Sequence, residues 1–135
     1  MRDIKFRAWN PDNKVMKEVG ALDWNGKCKV ITCNLDSDKW YRGYHKDFDF
    51  ILMQFTGLKD KNGIEIYEGD IVKTQICNPE YFEIRYINGS FCLYSPSLKE
   101  TPLEISMMYP KEDCLIEVVG NVFDNEELWE AVNNE

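Results

Sequence analysis

Ile4, Phe6 and Ala8 alternate with Lys5, Arg7 and Trp9, the period-two pattern of a β-strand with one apolar and one wet face. Asn10-Pro11-Asp12-Asn13 follows as a turn. Asn25-Gly26 between Ala21–Trp24 and Lys27–Thr32 predicts a hairpin, because both central positions of a type I′ turn need positive φ. Residues 34–47 are polar and aromatic without a clear period and read as a loop carrying Trp40, Tyr41, Tyr44 and His45. Phe48 to Phe55 returns to a strand pattern. Gly57 to Gly63 is a turn-rich connection, and Ile64, Ile66, Ile71 and Val72 flank a turn at Glu68-Gly69-Asp70.

Tyr81–Ile87 and Ser90–Ser95 bracket Asn88-Gly89, the clearest hairpin in the chain. Phe82, Ile84 and Tyr86 alternate with Glu83 and Arg85, which gives that hairpin one buried face. Leu103–Tyr109 and Leu115–Phe123 are further strands. The structural turns therefore centre on Gly57, Gly63, Gly69, Asp70, Gly89 and Gly120. The period then changes. Asp124 is placed as an N-cap, with Glu127 three residues on, and Leu128, Trp129 and Val132 share one side of a short helix.

These elements predict a mainly β fold: a small β-rich N-terminal lobe over 1–55, an SH3-like β-barrel over 56–123, and an acidic C-terminal helix over 124–135. Src-homology-3-like barrels often launch a strand from a tight turn such as Glu68-Gly69-Asp70, so the barrel is placed by fold analogy. With 135 residues, 44% of them hydrophobic, the chain suits one compact unit or two small lobes, and wholesale disorder is excluded.

Charge sharpens this picture. The net charge is -8, which disfavours a general nucleic-acid binder. It is unevenly spread: residues 1–61 carry a balance of +3 and residues 62–135 a balance of -11. Such a chain can attract its own opposite end, within a subunit or between subunits, and the second case makes a homo-oligomer possible. The basic part leaves one candidate binding surface, Lys5, Arg7 and Trp9 on the first strand with Lys39, Trp40, Tyr41 and Arg42, where bases interleave with aromatics.

The N-terminus is charged throughout without an apolar export segment, and the longest apolar run, Phe50-Ile51-Leu52-Met53, is too short to span a bilayer. A cytoplasmic protein with no membrane partner is expected. The five cysteines then read as free thiols. Cys28 and Cys33 form the only close pair and His45 is the only histidine, so no metal site and no cofactor are predicted. His45 lacks a neighbouring nucleophile motif, and the acids at Glu65, Glu68, Asp70, Glu112 and Asp113 read as solvated faces. Asp36-x-Asp38 lacks the glycine and distant glutamate of a calcium loop. Gly57, Gly63 and Gly69 lack the Gly-Lys-Ser/Thr ending of a phosphate loop. No catalytic residues are assigned, and the chain is expected not to be an enzyme.

Three blocks carry a family resemblance. They are Arg2–Met16, the long ungapped run Leu52–Val72, and Glu117–Phe123 leading into Asn125 and Leu128. In this order they resemble the YopX family of small bacteriophage and prophage proteins. Phe55 stands where tyrosine is more usual. The resemblance implies a phage or prophage origin, a bacterial host cytoplasm and a β-rich, partly SH3-like fold, and it assigns no activity. The expected function is that of a non-catalytic protein-interaction module with an unidentified protein partner. The alternatives are a nucleic-acid-associated regulator using the basic N-terminal face, and an acidic DNA mimic.

Overall fold

A computed structural model describes residues 3–12, 14–25, 28–36, 39–44, 50–74, 81–96, 103–108 and 115–133, with side chains omitted for 23–44, 107–108 and 131–133. It is mainly β, with one helix at the C-terminal end. The chain divides into two units, Met1–Phe55 and Thr56–Glu135.

In the first unit, β1 (Phe6–Asn10) pairs antiparallel with both β2 (Val15–Asn25) and the early part of β5 (Ile51–Lys59). β3 (Cys28–Asp36) and β4 (Lys39–Tyr44) extend the sheet in the order β4-β3-β2-β1-β5. Ala8 and Phe50 form its apolar centre, with Val19, Leu22 and Leu52 packed against them. Val19 and Leu22 lie three apart yet join one cluster. The register of β2 on β3 shifts between Val19 and Ala21, and a bulge of this kind resets the alternation of faces.

Two expectations for this unit are corrected. Within the loop expected over 34–47, residues 34–36 continue β3 and residues 39–44 form β4, paired from Asp36↔Lys39 to Val30↔Tyr44, while 37, 38 and 45–47 lie outside the described residues. The tyrosines and tryptophan suit a strand, but without aliphatic residues between them the alternation is hard to see. His45 lies outside the described residues. The β2–β3 hairpin is also displaced by one position. Asn25 pairs with Cys28, so residues 26 and 27 join the strands, and these lie outside the described residues.

In the second unit, β7 (Asp70–Thr74), β8 (Tyr81–Ile87), β9 (Ser90–Tyr94), β10 (Leu103–Glu104) and β11 (Ile116–Asn121) form an antiparallel sheet ordered β10-β9-β8-β7-β11. The sheet stays open, with β10 and β11 at its edges, so the barrel is not closed. The late part of β5 pairs with β6 (Glu65–Tyr67). Ile66, Val72, Phe82, Ile84, Leu93, Ile105 and Ile116 make the core. The Asn88-Gly89 hairpin is as expected: Ile87 pairs with Ser90, and φ is 52° at Asn88 and 86° at Gly89, the type I′ turn. The strand expected over Leu103–Tyr109 is only two residues long, because Ile105–Met108 turns into a 3-10 helix that buries Ile105.

Helix α1 runs over Glu126–Asn133. Its start corrects the assigned cap. The Asn125 carbonyl accepts from Leu128 N at 3.1 Å and Trp129 N at 3.2 Å, which makes Asn125 the capping position. Asp124 sits one residue outside, its carboxylate accepting from Asn121 Nδ2 at 3.1 Å.

Candidate functional site

Asp60 is a buried carboxylate of the second unit, 5% exposed in the connection from β5 to β6. Its Oδ1 accepts from Asn62 N at 2.8 Å and Ile64 N at 2.9 Å, while its carbonyl accepts from Gly63 N at 3.0 Å. Its Oδ2 reaches across the chain to accept from Val118 N on β11 at 2.8 Å. Lys61 N donates to Ile116 O at 3.1 Å, and above it Lys61 Nζ lies 3.6 Å from Glu117 Oε2. One buried carboxylate thus shapes a tight turn and ties it to a distant strand. Asp at the first turn position with Gly at the fourth is a legible turn signal, but the link to Val118 has none in the sequence.

Two further carriers of polar chemistry act in the same way. Asp70, 2% exposed, accepts from Tyr67 N at 2.8 Å and closes the turn whose Gly69 has φ of 83°. Gly69 N donates to Ile84 O and Gly69 O accepts from Val122 N, both at 2.9 Å. Asn121 Oδ1 accepts from Phe123 N and Asp124 N and shapes the entry to α1. These side chains give local backbone N–H groups their acceptors.

The sheet face that carries Glu83 and Arg85 mixes polar and apolar groups. Register places Glu83 opposite Ile71 and Tyr94, and Arg85 opposite Cys92. Arg85 Nε donates to Glu83 Oε1 at 2.9 Å, and the guanidinium lies 3.6 Å from the Tyr94 ring centre and 5.6 Å from that of Trp129 on α1. Burial pushes the Glu83 carboxyl above its ordinary value, and the Arg85 charge and hydrogen bond only partly oppose this. Cys92 is buried, its thiol donates to Ser90 O at 3.6 Å, and burial with the Glu104 charge pushes its pKa up. A thiol held protonated in this way is a packing group rather than a nucleophile.

The candidate basic surface is not assembled as one platform. Lys5 is exposed, with its ammonium 5.5 Å from the Phe55 ring centre. Arg7 sits between Glu18 and Met53 in register. Trp9 is 6% exposed between Met16 and Ile51, so it is a packed residue and not a stacking surface. Lys39, Trp40, Tyr41 and Arg42 occupy β4, three strand steps from β1, about 14 Å across the sheet. Among the described residues no three His, Cys, Asp or Glu side chains come together in a metal-binding group, and no helix is long and apolar enough to cross a membrane. Of the expected turn residues, Gly57, Gly63, Gly69 and Gly89 have positive φ, whereas Gly120 does not.

A family model described as YopX protein matches residues 5–130. The chain belongs to the YopX family. Among solved structures it is similar to protein EF1440 from Enterococcus faecalis, with 28% identity, a TM-score of 0.62, and coverage of 95% of this chain and 99% of that one. It also shares its fold with YopX from Bacillus subtilis, at 20% identity and a TM-score of 0.60, covering 95% and 96% of the two chains. No curated protein matches it. Two of the three blocks that carry the YopX resemblance, 52–72 and 117–123, are joined in space through Asp60, Lys61 and Gly69.

The buried acid in this YopX-family chain gives a pH-dependent expectation. Glu83 binds its proton more tightly in the fold than in the unfolded chain, where its value is near 4.5. Stability therefore falls as pH rises from 4.5 through the raised folded value, and the full cost is present above it. Glu83→Gln removes that cost and keeps an oxygen for Arg85. It is expected to be more stable than the parent at pH 7, with the difference shrinking towards pH 4. Urea unfolding of both proteins at the two pH values checks this. A difference independent of pH contradicts the assignment.

Proposed function

We propose that the protein is a phage- or prophage-encoded accessory protein of the host cytoplasm that works without catalysis, as a protein-interaction module that self-associates. The observation that carries this reading is the use of the buried and half-buried polar side chains. Asp60, Asp70, Asn121 and Asn125 bond to the backbone of their own chain, and Glu83 bonds to Arg85. These groups support a scaffold, and a scaffold acts through its surface. The opposed charges of the two halves, +3 and -11, supply an attraction between copies. The burial of Trp9 removes one base-stacking residue from the competing nucleic-acid reading.

Light scattering at several salt concentrations tests the proposal. The expected result is an oligomer at low salt that loosens above about 0.5 M salt, where charges are screened within a few ångströms. A strict monomer at every salt and protein concentration overturns self-association.

A further inference from the structure

The sheet of the first unit forks. β1 and β2 pair from Asn10↔Val15 up to Arg7↔Glu18. Both chains then continue, Ile4–Phe6 on one side and Val19–Leu22 on the other, but among the described residues the ladder between them ends there. Each branch keeps its outer neighbour. Phe6 pairs with Gln54, and the Lys5 carbonyl accepts from Phe55 N at 2.9 Å. On the other branch Val19, Ala21 and Leu22 pair with Cys33, Thr32 and Ile31 of β3. The register shift at Gly20 lies at the point of divergence, and a bulge adds local twist to the strand that carries it. A groove of about 290 Å³ opens between the branches.

The chemistry of the groove selects its occupant. Successive residues of a strand turn their N–H and C=O groups alternately to either side. In β2 one side is taken by β3, and the other faces the groove beyond Glu18. An open strand edge is complemented by another extended backbone. Ile4, 65% exposed, and half-buried Phe6, Val19 and Leu22 give apolar walls, while Gly20 and Ala21 leave room for incoming side chains. The rim carries one charge of each sign, Lys5 on one branch and Glu18 on the other, both exposed. A segment with an acid beside Lys5 and a base beside Glu18 complements both.

We propose that this fork is a strand-addition site. It takes an extended segment of a partner protein, with apolar residues at alternate positions, an acid near one end and a base near the other. The segment adds to the open edge of β2. This rests on the interaction-module reading and names the surface that reading needs, but it does not depend on self-association.

The test uses the full chain and a fluorescently labelled seven-residue peptide with valines at alternate positions, a glutamate at one end and a lysine at the other. Anisotropy is expected to show saturable binding. The same peptide N-methylated at alternate backbone nitrogens loses the donors that a strand partner needs and is expected to bind at least about tenfold more weakly. Lys5→Glu, an exposed change, is expected to weaken the peptide a few-fold. Bound peptide should slow amide exchange at residues 19–22. Equal binding of the N-methylated peptide, protection only elsewhere, or no binding up to millimolar peptide overturns the proposal. Peptide binding by a strict monomer upholds the fork while removing self-association. An oligomer that ignores the peptide does the reverse.

Discussion

Asp60→Ala is expected to lower the stability of the second unit by about 1.5–4.5 kcal/mol, taking roughly 0.5–1.5 kcal/mol for each part-buried hydrogen bond lost. Three backbone N–H groups lose their acceptor together: Asn62, Ile64 and Val118. Domains of this size are stable by about 5–15 kcal/mol, so the loss is a large fraction of the whole. It corresponds to a fall in melting temperature on the order of 10 °C or more. Asp60→Asn separates the two jobs of the carboxylate. One amide oxygen can still hold the turn at Asn62 and Ile64, but the amide nitrogen then meets Val118 N, donor against donor. Its cost is expected to lie well below that of alanine and to fall on the link to β11. Calorimetry of the three proteins decides this. Asp60→Ala within 1 kcal/mol of the parent would show that water replaces the carboxylate freely.

The same residue shows what a sequence can and cannot reveal. Asp60-Lys61-Asn62-Gly63 is readable as a turn, because the preferences of Asp and Gly there are local. That Asp60 also holds Val118 is a contact across fifty-eight positions, and no local pattern encodes it. The Asn88-Gly89 hairpin was fully legible for the converse reason: turn, register and alternation all sit within fourteen residues. β4 was not legible, since its strand pattern is aromatic and polar and its partner β3 is equally mixed. Trp9 illustrates a third case. Alternation correctly gave a strand, but it placed Trp9 on a wet face, whereas Met16 and Ile51 flank it there. Alternation shows which residues share a face. It does not show whether that face is covered.

Gly120 is where close approach, rather than turn geometry, demands a glycine. Its φ is not positive, but a Cβ there would meet Asn125 Oδ1, with Asn125 Cγ at 2.7 Å and Leu128 Cδ1 at 2.9 Å. Those atoms have little freedom to retreat. Asn125 Oδ1 accepts from Asn121 N at 3.1 Å, and the Asn125 carbonyl starts α1. Gly120→Ala is therefore expected to cost about 2–4 kcal/mol, from overpacking and the loss of the hydrogen bond to Asn121. It should also lift α1 from β11 and draw Trp129 away from Arg85, which a shift of the Trp129 indole resonance in NMR would report. Asn125→Ala removes the nearest obstacle. If the clash with Asn125 is the cause, the double variant costs clearly less than its two single changes together. Strict additivity, or an unmoved Trp129 signal in Gly120→Ala, would mean that the helix start does not depend on the missing side chain at position 120.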